Sequence, residues 1–503
     1  MKRILPIFLV LALLLTGCNW REPDYLPSQD ILLEEGETTP PIITQTTQEL
    51  TLVYNPNESM NPYHSSDYTN RALFSLIYQG LFAVNREYQA APLLCESYSY
   101  SADMRTWTFQ IADATFSDGT AVTAEDVQAS LKNAMGSAWY GNRLQHVQSV
   151  SVAADAVVLK LDTPYENLPI LLDIPIVKSG EVDGENPIGS GPYRFDGASL
   201  RRQSGWWCNA SLPVANQTIP LVTAKSAIQI RDSFELSQVS LVCTDPGSLD
   251  YVDYRSDYEL WDCENGLFVY MTCNKKSKNK LLENDAVRAA LTHGINRDAL
   301  TGIYHSFAQG VTLPASPQSP YYDEKLAQRY DYDPQILKDA IAAAAPENKD
   351  LILMVSAADM QRRQCAQAIA KMLGECGLTV TIKTVTPDKL VENLRWGEYD
   401  LFLGQTRLSA NMDLSAFFAE KGKLNYGGLS DAGIYAMCLE SLANSGNYYT
   451  LHKLVMESGK LCPLLFQSYA VYGGRGSLPN LSPARDNLFY YDLGITMEDA
   501  LTK

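Results

Sequence analysis

The 503-residue chain predicts a mixed α/β protein built in more than one lobe. Three observations carry that expectation. The length suits two or three domains. Both structural periods are present, alternation over two residues and apolar stripes at helical spacing. Residues 351–382 spell out a β-α-β unit, which implies a parallel strand pair joined by a right-handed crossover.

Taken in order, Glu49 to Tyr54 alternates as a strand does. Trp107, Phe109 and Ile111 recur at every second residue, and the same period returns at Val157–Leu161. Between them lies "FSDGTAVTAEDVQASL", with three acids, Asp118, Glu125 and Asp126. Asp118-Gly119 marks a turn, because glycine accepts a positive φ and aspartate bonds its own backbone. Thr123 to Asp126 reads as a helix start. The Thr123 hydroxyl accepts from the amide of residue 126, and Asp126 reaches back. Glu125 and Asp126 also favour the positive end of the helix dipole. A calcium loop would need oxygen ligands at regular alternating positions, which are missing here. These acids are therefore read as structural.

Asp285 to Ile303 reads as one helix, with Asn284/Asp285 at its start and Val287, Leu291 and Ile295 on one stripe. In the β-α-β unit, Leu351–Val355 is a buried strand. Cys365, Ile369, Met372, Leu373 and Cys376 form a helical stripe, and Gly377 stops the helix. Leu378, Val380 and Ile382 then alternate in a second strand.

Composition narrows the function. The chain is 46% hydrophobic and 19% charged, as globular proteins are. A net charge of -18 repels phosphate backbones and argues against a nucleic-acid partner. Five histidines are few for metal or proton-relay chemistry. Apart from Cys18, nine cysteines remain. The number is odd, so at least one thiol is unpaired. No CxxC and no Cys/His cluster at zinc spacing occurs, so neither a metal nor a cofactor is expected, and most cysteines read as small buried apolar residues. No G-x-S-x-G or H-E-x-x-H is present. Ser458-Gly459-Lys460 lacks the upstream glycine of a phosphate loop.

Lys2 and Arg3 precede a short apolar run, Ile4 to Leu15, too short to span a bilayer. Leu14 to Cys18, "LLTGC", resembles a bacterial lipobox, in which the cysteine is lipidated and becomes the new N-terminus. The plainer alternative is an ordinary signal peptide with a chance cysteine. The resemblance implies a signal peptide at 1–17, a lipidated Cys18, and a location on the extracytoplasmic face of the cell membrane, held there by acyl chains. Residues 18–47, with their prolines, acids and a Thr/Gln-rich patch, read as a flexible tether.

"PLLCESYSYSADMRTWTFQIADATFSDGTAVTAEDVQASL" (Pro92 to Leu131) resembles the signature of the family 5 extracellular solute-binding proteins, the peptide-, dipeptide- and nickel-binding lipoproteins of ABC importers. Cys95 stands at the family's usual Ala, Tyr98 at its Trp and Ala121 at its Pro. Five further blocks follow the family order: "MNPYHSSDYTNRALFSLIYQGLF", "NPIGSGPYRF", "DAVRAALTHGINRDAL", "YDPQILKDAI" and "GEYDLFLGQTRLSANMDLSAFF". Together they cover nearly the whole chain after the tether.

The resemblance implies an α/β, two-lobe, periplasmic-binding-protein-like fold with an extra subdomain and a ligand cleft between the lobes. Lobe I would comprise 48–62, 182–264 and 472–503, the extra subdomain 63–181, and lobe II 265–471. Hinge closure on a peptide or similar small solute would precede delivery to a membrane permease driven by a separate ATPase. By position in the family pattern, candidate ligand residues are Ser66, Asp67 and Tyr68 after Asn61-Pro62, Tyr270 and Asn274 in "YMTCN", and Thr406, Arg407 and Asp413 in "LGQTRLSANMDL". The first three read equally well as a solvated loop, the next two as packing, and Arg407 as a surface loop residue. The peptide binders keep a Trp and then an Asp that pairs with the ligand's ammonium. Here Thr406 or Arg407 stands at the Trp and Ser409 or Ala410 at the Asp, so that anchor is absent or displaced. Arg407 offers a fork for a carboxylate or phosphate instead. Two other readings stay open on the same scaffold: a ligand-sensing lipoprotein, and a secreted hydrolase.

Overall fold

The computed structural model describes residues 50–208, 216–475 and 481–490. The signal-peptide, Cys18 and tether readings lie outside these residues, as do Glu49 and the segment after 490.

The chain enters through β1 (Leu52–Tyr54). A hairpin of β2 (Phe82–Val84) and β3 (Ala90–Pro92) leads into an antiparallel sheet. Its strands are β4 (Cys95–Tyr100), β5 (Thr106–Ile111), β6 (Val147–Ala153) and β7 (Ala156–Leu161), in the order β4-β5-β7-β6. Trp107 and Phe109 point from β5 into the core, 1% and 0% exposed. Helix Ala124–Gly136 joins β5 to β6 and begins with the expected capping box. Thr123 Oγ1 accepts from the Asp126 amide at 3.4 Å, and Asp126 Oδ2 accepts from the Thr123 amide at 2.9 Å. The second Asp126 oxygen accepts from the Ser179 amide at 2.7 Å, and Asp118 pairs with Lys178 at 2.5 Å. These acids fasten a helix and a turn.

Strands β8 (Tyr193–Phe195), β9 (Ser199–Arg202) and β10 (Thr218–Thr223) return to β1 and form the sheet β1-β10-β9-β8, in which β1 and β10 run parallel. The largest sheet follows. Its members are β11 (Leu241–Thr244), β12 (Glu259–Cys273), β13 (Ala308–Gly310), β14 (Asp350–Ser356), β15 (Thr379–Val385), β16 (Leu401–Arg407) and β17 (Leu461–Gly473). The order is β11-β17-β12-β16-β14-β15, with β13 on the flank of β17. A hairpin, β18 (Ser482–Ala484) and β19 (Asn487–Phe489), closes the described chain.

The 15-residue β12 and 13-residue β17 pass through both halves of the molecule. Glu259–Glu264 pairs with Ser468–Gly473, and Phe268–Thr272 with Leu461–Phe466. The ladder breaks between Glu264 and Phe268. Gly266 lies within the break at φ +70°, a conformation that side chains other than glycine's disfavour.

The β-α-β unit is β14, helix Met360–Glu375 and β15, with β14 and β15 parallel. Cys365, Ile369 and Leu373 are fully buried beside Leu353, Val355 and Leu403. Gly377 follows at φ +93°. The single helix expected over 285–303 is instead four short turns: Asp285–Ala290, Leu291–Gly294, Asp298–Thr301 and Gly302–Tyr304. Its apolar stripe is nevertheless buried, with Val287, Leu291 and Ile295 at 1% exposure or less. The break has two physical causes. A Cβ at Gly294 would lie 2.5 Å from Leu337 Cδ2, so this turn packs unusually close to its neighbour. The chain leaves the helical path at Ile295, φ -116° and ψ 114°, and the buried Arg297 guanidinium secures the bend by binding the carbonyl oxygens of Val311 at 2.6 Å and Pro463 at 2.9 Å.

All nine cysteines among the described residues are free, and all but Cys208 are buried. Ser458-Gly459-Lys460 ends helix Tyr448–Ser458, with Gly459 as the left-handed stop. No described helix is long and apolar enough to cross a membrane.

Candidate functional site

Beside the break in β12, its sheet neighbours β16 and β17 form a floor. Alternate residues of a strand share a face, so Gln467 and Tyr469 of β17 lie together, as do Gln405 and Arg407 of β16. Gln467 Nε2 donates to Gln405 Oε1 at 2.8 Å, and Arg407 Nη2 donates to the Tyr469 hydroxyl at 3.3 Å. The Tyr68 ring packs on Tyr469 with centroids 4.5 Å apart. Trp139 receives two guanidiniums, Arg71 at 3.6 Å and Arg407 at 4.0 Å from its centroid, a cation–π arrangement.

Arg407 is fixed from several sides. Nη1 donates to the Asn265 carbonyl and pairs with Asp486 at 2.6 Å. Asp486 also takes Arg143 at 2.8 Å, and Arg143 pairs with Asp173. Burial alone would raise the Asp486 carboxyl, but Arg407, Arg485 and Arg143 hold it below the usual aspartate value. Burial alone would lower the Arg407 pKa, but Tyr469 and Asp486 raise it. The cluster keeps both groups charged. Beside it, Glu264 accepts from Tyr88 and Ser316 and lies 3.7 Å from Arg485 Nε.

Asp245, just past the end of β11, lies beside Gln467 of the floor. One carboxylate oxygen accepts from the Gly247 amide at 2.8 Å, and nearby Tyr68 favours the charged form of the carboxylate. Across the gap, helix Met360–Glu375 starts at Asp359, which caps it and pairs with Arg362 at 2.7 Å. Gln361 Nε2 reaches over to the carbonyls of Pro246 at 3.4 Å and Ser248 at 3.3 Å.

The residues named from the sequence divide into two groups. Tyr68 and Arg407 come together at this floor, whereas Thr406, between Gln405 and Arg407 on β16, faces the other side of the sheet. Ser66 is exposed, and Asp67 caps helix Tyr68–Arg71, accepting from the Asn70 amide at 2.9 Å and from Asn55 Nδ2 at 3.0 Å. Tyr270 is packed edge-on against Phe417 at 4.9 Å and Phe402 at 6.4 Å. Asn274 ties the end of β12 to the Tyr399 carbonyl at 2.8 Å; it also borders a surface cavity of about 620 Å³ that includes Asp350, Trp396 and Asp400. Asp413 accepts from the Ser415 amide at 2.8 Å and from Gln145, and lies 3.2 Å from His146 Nε2. A second cavity, about 470 Å³, lies among Tyr165, Tyr321, Asn411 and Tyr448. Among the described residues no group of His, Cys, Asp and Glu has the arrangement of a metal site.

Asp245, Gln361, Gln405, Gln467, Tyr469 and Trp139 are at the floor without having been singled out from the sequence. Gln467 carried one usable signal, a polar residue inside the apolar run "LCPLLFQSYAVYG". Asp245 carried none, because a turn such as "TDPG" occurs on any surface.

Residues 89–423 match the family described as bacterial extracellular solute-binding proteins, family 5 Middle. The chain belongs to the family 5 extracellular solute-binding proteins, which bind solutes outside the cytoplasm rather than turning them over. Among curated relatives, the glutathione-binding protein GsiB of Escherichia coli O1:K1 is 25% identical over 312 residues, 56% of this chain and 59% of the relative. GsiB of Pectobacterium atrosepticum is 25% identical over 353 residues, 64% of this chain and 66% of the relative. The match thus spans less than two thirds of these relatives' length. In fold, the chain is similar to a peptide-binding protein AppA from Clostridium difficile, with TM-score 0.71 and 16% identity over 88% of this chain and 98% of the other. It is also similar to the nickel ABC transporter protein of Bacillus halodurans, with TM-score 0.70 and 18% identity over 88% and 99%. The two-lobe α/β architecture is that of these proteins.

Proposed function

We propose that this chain is the membrane-anchored substrate-binding component of an ABC importer. It captures a peptide or similarly sized solute between its lobes and presents it to a permease powered by a separate ATPase. The observation that carries the reading is the break in β12 between Glu264 and Phe268, beside the continuous β17. Two strands connect the halves, and their ladder is weakest where the halves meet, with a glycine at φ +70° in the gap. Such a joint permits hinge closure, by which a ligand bridging both sides favours the closed population.

The lobe boundaries belong to the same reading. Lobe I is taken as 48–62, 182–264 and 472–503, the extra subdomain as 63–181, and lobe II as 265–471. The 264/265 boundary falls at the strand break. Relatives named for glutathione and for peptides support a peptide-like solute. Ligation at Tyr68 and Arg407, which lie at the floor, is favoured over Ser66, Asp67, Tyr270, Asn274, Thr406 and Asp413. Anchoring is assigned to lipidated Cys18.

The test is native mass spectrometry of the full-length chain carrying Cys18→Ser, exposed to casein tryptone, with small-angle scattering on the same samples. Retained peptides with a fall in radius of gyration support capture by closure. Retention with no change in shape argues against the hinge. Wild-type chain metabolically labelled with an alkynyl fatty acid, and C18S unlabelled, would support the anchor.

A further inference from the structure

We infer that Asp245 is the residue that receives a positively charged ammonium group of the solute. This inference rests on the cleft reading above and deepens it. It places the cation on lobe I rather than at Ser409 or Ala410, where the resemblance would have put an acid.

Three observations carry it. The first is charge. Asp245 is 9% exposed, yet among the described residues no lysine, arginine or histidine forms an ion pair with it. Two other acids nearby have one: Asp359 has Arg362, and Asp486 has Arg143 and Arg407. Leaving a buried carboxylate without a cation is costly, and such groups are ordinarily paired.

The second is an excess of acceptors at the same place. Gln361 is 4% exposed and its Oε1 has no partner, while its Nε2 is spent on the Pro246 and Ser248 carbonyls. Tyr304, 2% exposed, has an unpartnered hydroxyl. A buried polar group without a partner is uncommon in a folded protein, and two beside an unpaired carboxylate call for a donor-rich group.

The third is convergence. Asp245, Gln467 and Tyr304 all pack around Gly247: a Cβ on that glycine would lie 3.1 Å from an Asp245 carboxylate oxygen, 3.1 Å from Gln467 Oε1 and 3.6 Å from the Tyr304 ring. These groups come from the β11 turn, the hinge strand and the far lobe. A solute cation held among them would touch both lobes and the joint, so binding and closure would be coupled. An ammonium supplies three donors and one positive charge, which matches a carboxylate flanked by amide oxygens. Burial also raises the Asp245 carboxyl above the ordinary aspartate value, as expected for an acid awaiting its counter-ion.

The test uses the full-length chain carrying Cys18→Ser, as wild type otherwise and as Asp245→Asn. The probes are casein tryptone and the same tryptone with its amines fully acetylated. Retained species are read by native mass spectrometry, and affinity for one retained peptide is then measured by calorimetry. The expected result is retention from untreated tryptone only, with affinity about 10- to 100-fold weaker in D245N. The empty D245N protein should melt no lower than wild type, because an uncompensated buried charge has been removed. Equal retention of acetylated peptides, or unchanged affinity in D245N, would overturn the assignment while leaving cleft binding intact. Retention from neither preparation would remove both the assignment and the peptide reading beneath it. A D245N chain that melts lower yet binds acetylated peptides as wild type does would mark Asp245 as a structural residue, which also overturns the inference.

Discussion

Arg407 and Asp486 face each other at 2.6 Å, both almost wholly enclosed by protein. The pair joins β16 to the turn of the last described hairpin. An isolated buried pair adds little net stability, but removing one member leaves a charge stranded. Here the stranded charge would retain Arg143.

Arg407→Ala should therefore destabilise the protein by about 3 kcal/mol, at the low end for a broken buried pair. Asp486→Asn should cost less in the R407A background than in the wild type, because the two act as a unit. Equilibrium urea denaturation of the two single variants and the double variant measures the coupling. Additive losses would mean that the pair is energetically idle.

His146 gives the fold a pH-dependent clasp. Nδ1 lies 2.8 Å from Asp162 and Nε2 3.2 Å from Asp413. Burial lowers the histidine pKa, but the two carboxylates outweigh it and hold the folded value above the ordinary 6.5. Burial likewise raises Asp413, but His146 and Ser415 bring it below 3.8. The histidine's contribution is thus complete below pH 6.5 and is lost as pH rises through its folded pKa. The aspartate's is present above pH 3.8 and is lost as pH falls through its own. Nearby Tyr165, Tyr435 and Cys438 are all shifted upward by burial and stay neutral across that span. Unfolding free energies at about pH 5.5 and about pH 8.5 should show wild type losing stability at the higher pH. His146→Gln should flatten that loss; an equally steep loss in the variant would place its origin elsewhere.

Gly266→Ala should be poorly tolerated. Its φ of +70° costs an L-residue about 1 kcal/mol or more, and a Cβ there would overlap Arg485 Nη2. The expected outcome is a lower melting temperature together with a changed distribution of open and closed forms. Gly119→Ala is the control. It has a similar positive φ, +85°, but nothing within 4 Å of the added carbon, and it should lower stability without altering shape.

Reducing agent should leave the melting temperature unchanged, since the described cysteines form no disulfide. In the native protein a bulky aromatic disulfide reagent should titrate Cys208 alone among those nine thiols, the one that is not buried. Release of all nine should need denaturant. Rapid native reaction of several thiols would show that their burial is not maintained in solution.

The local elements were legible where a single period runs without interruption. The β-α-β unit at 350–385 and the Thr123–Asp126 helix start needed nothing beyond neighbours in sequence. The stretch 285–303 was misread in shape though not in burial, because the chain turns extended at Ile295 and Arg297 ties that bend to carbonyls of residues 311 and 463, which no local period reveals. The cleft was partly legible. Arg407 stood out by departing from a family pattern, but its partner Asp486 is 79 positions away. Asp245 acquires meaning only once Gln361, Tyr304 and Gln467 surround it, and no spacing rule links those positions.

The place of β17 has a consequence for how the molecule comes to exist. It pairs with β11 on one side and β12 on the other, yet it is the last strand of the large sheet to be synthesised. A chain emerging amino end first would hold β11 and β12 without their common neighbour until residue 473 had appeared. Until then the halves have no shared ladder, and the exposed edges invite wrong partners. Contacts of such long sequence separation also form slowly. The large sheet is therefore complete only when nearly the whole chain is present, and a truncation before Leu461 should leave β11 and β12 without their common partner rather than yield a smaller binding protein.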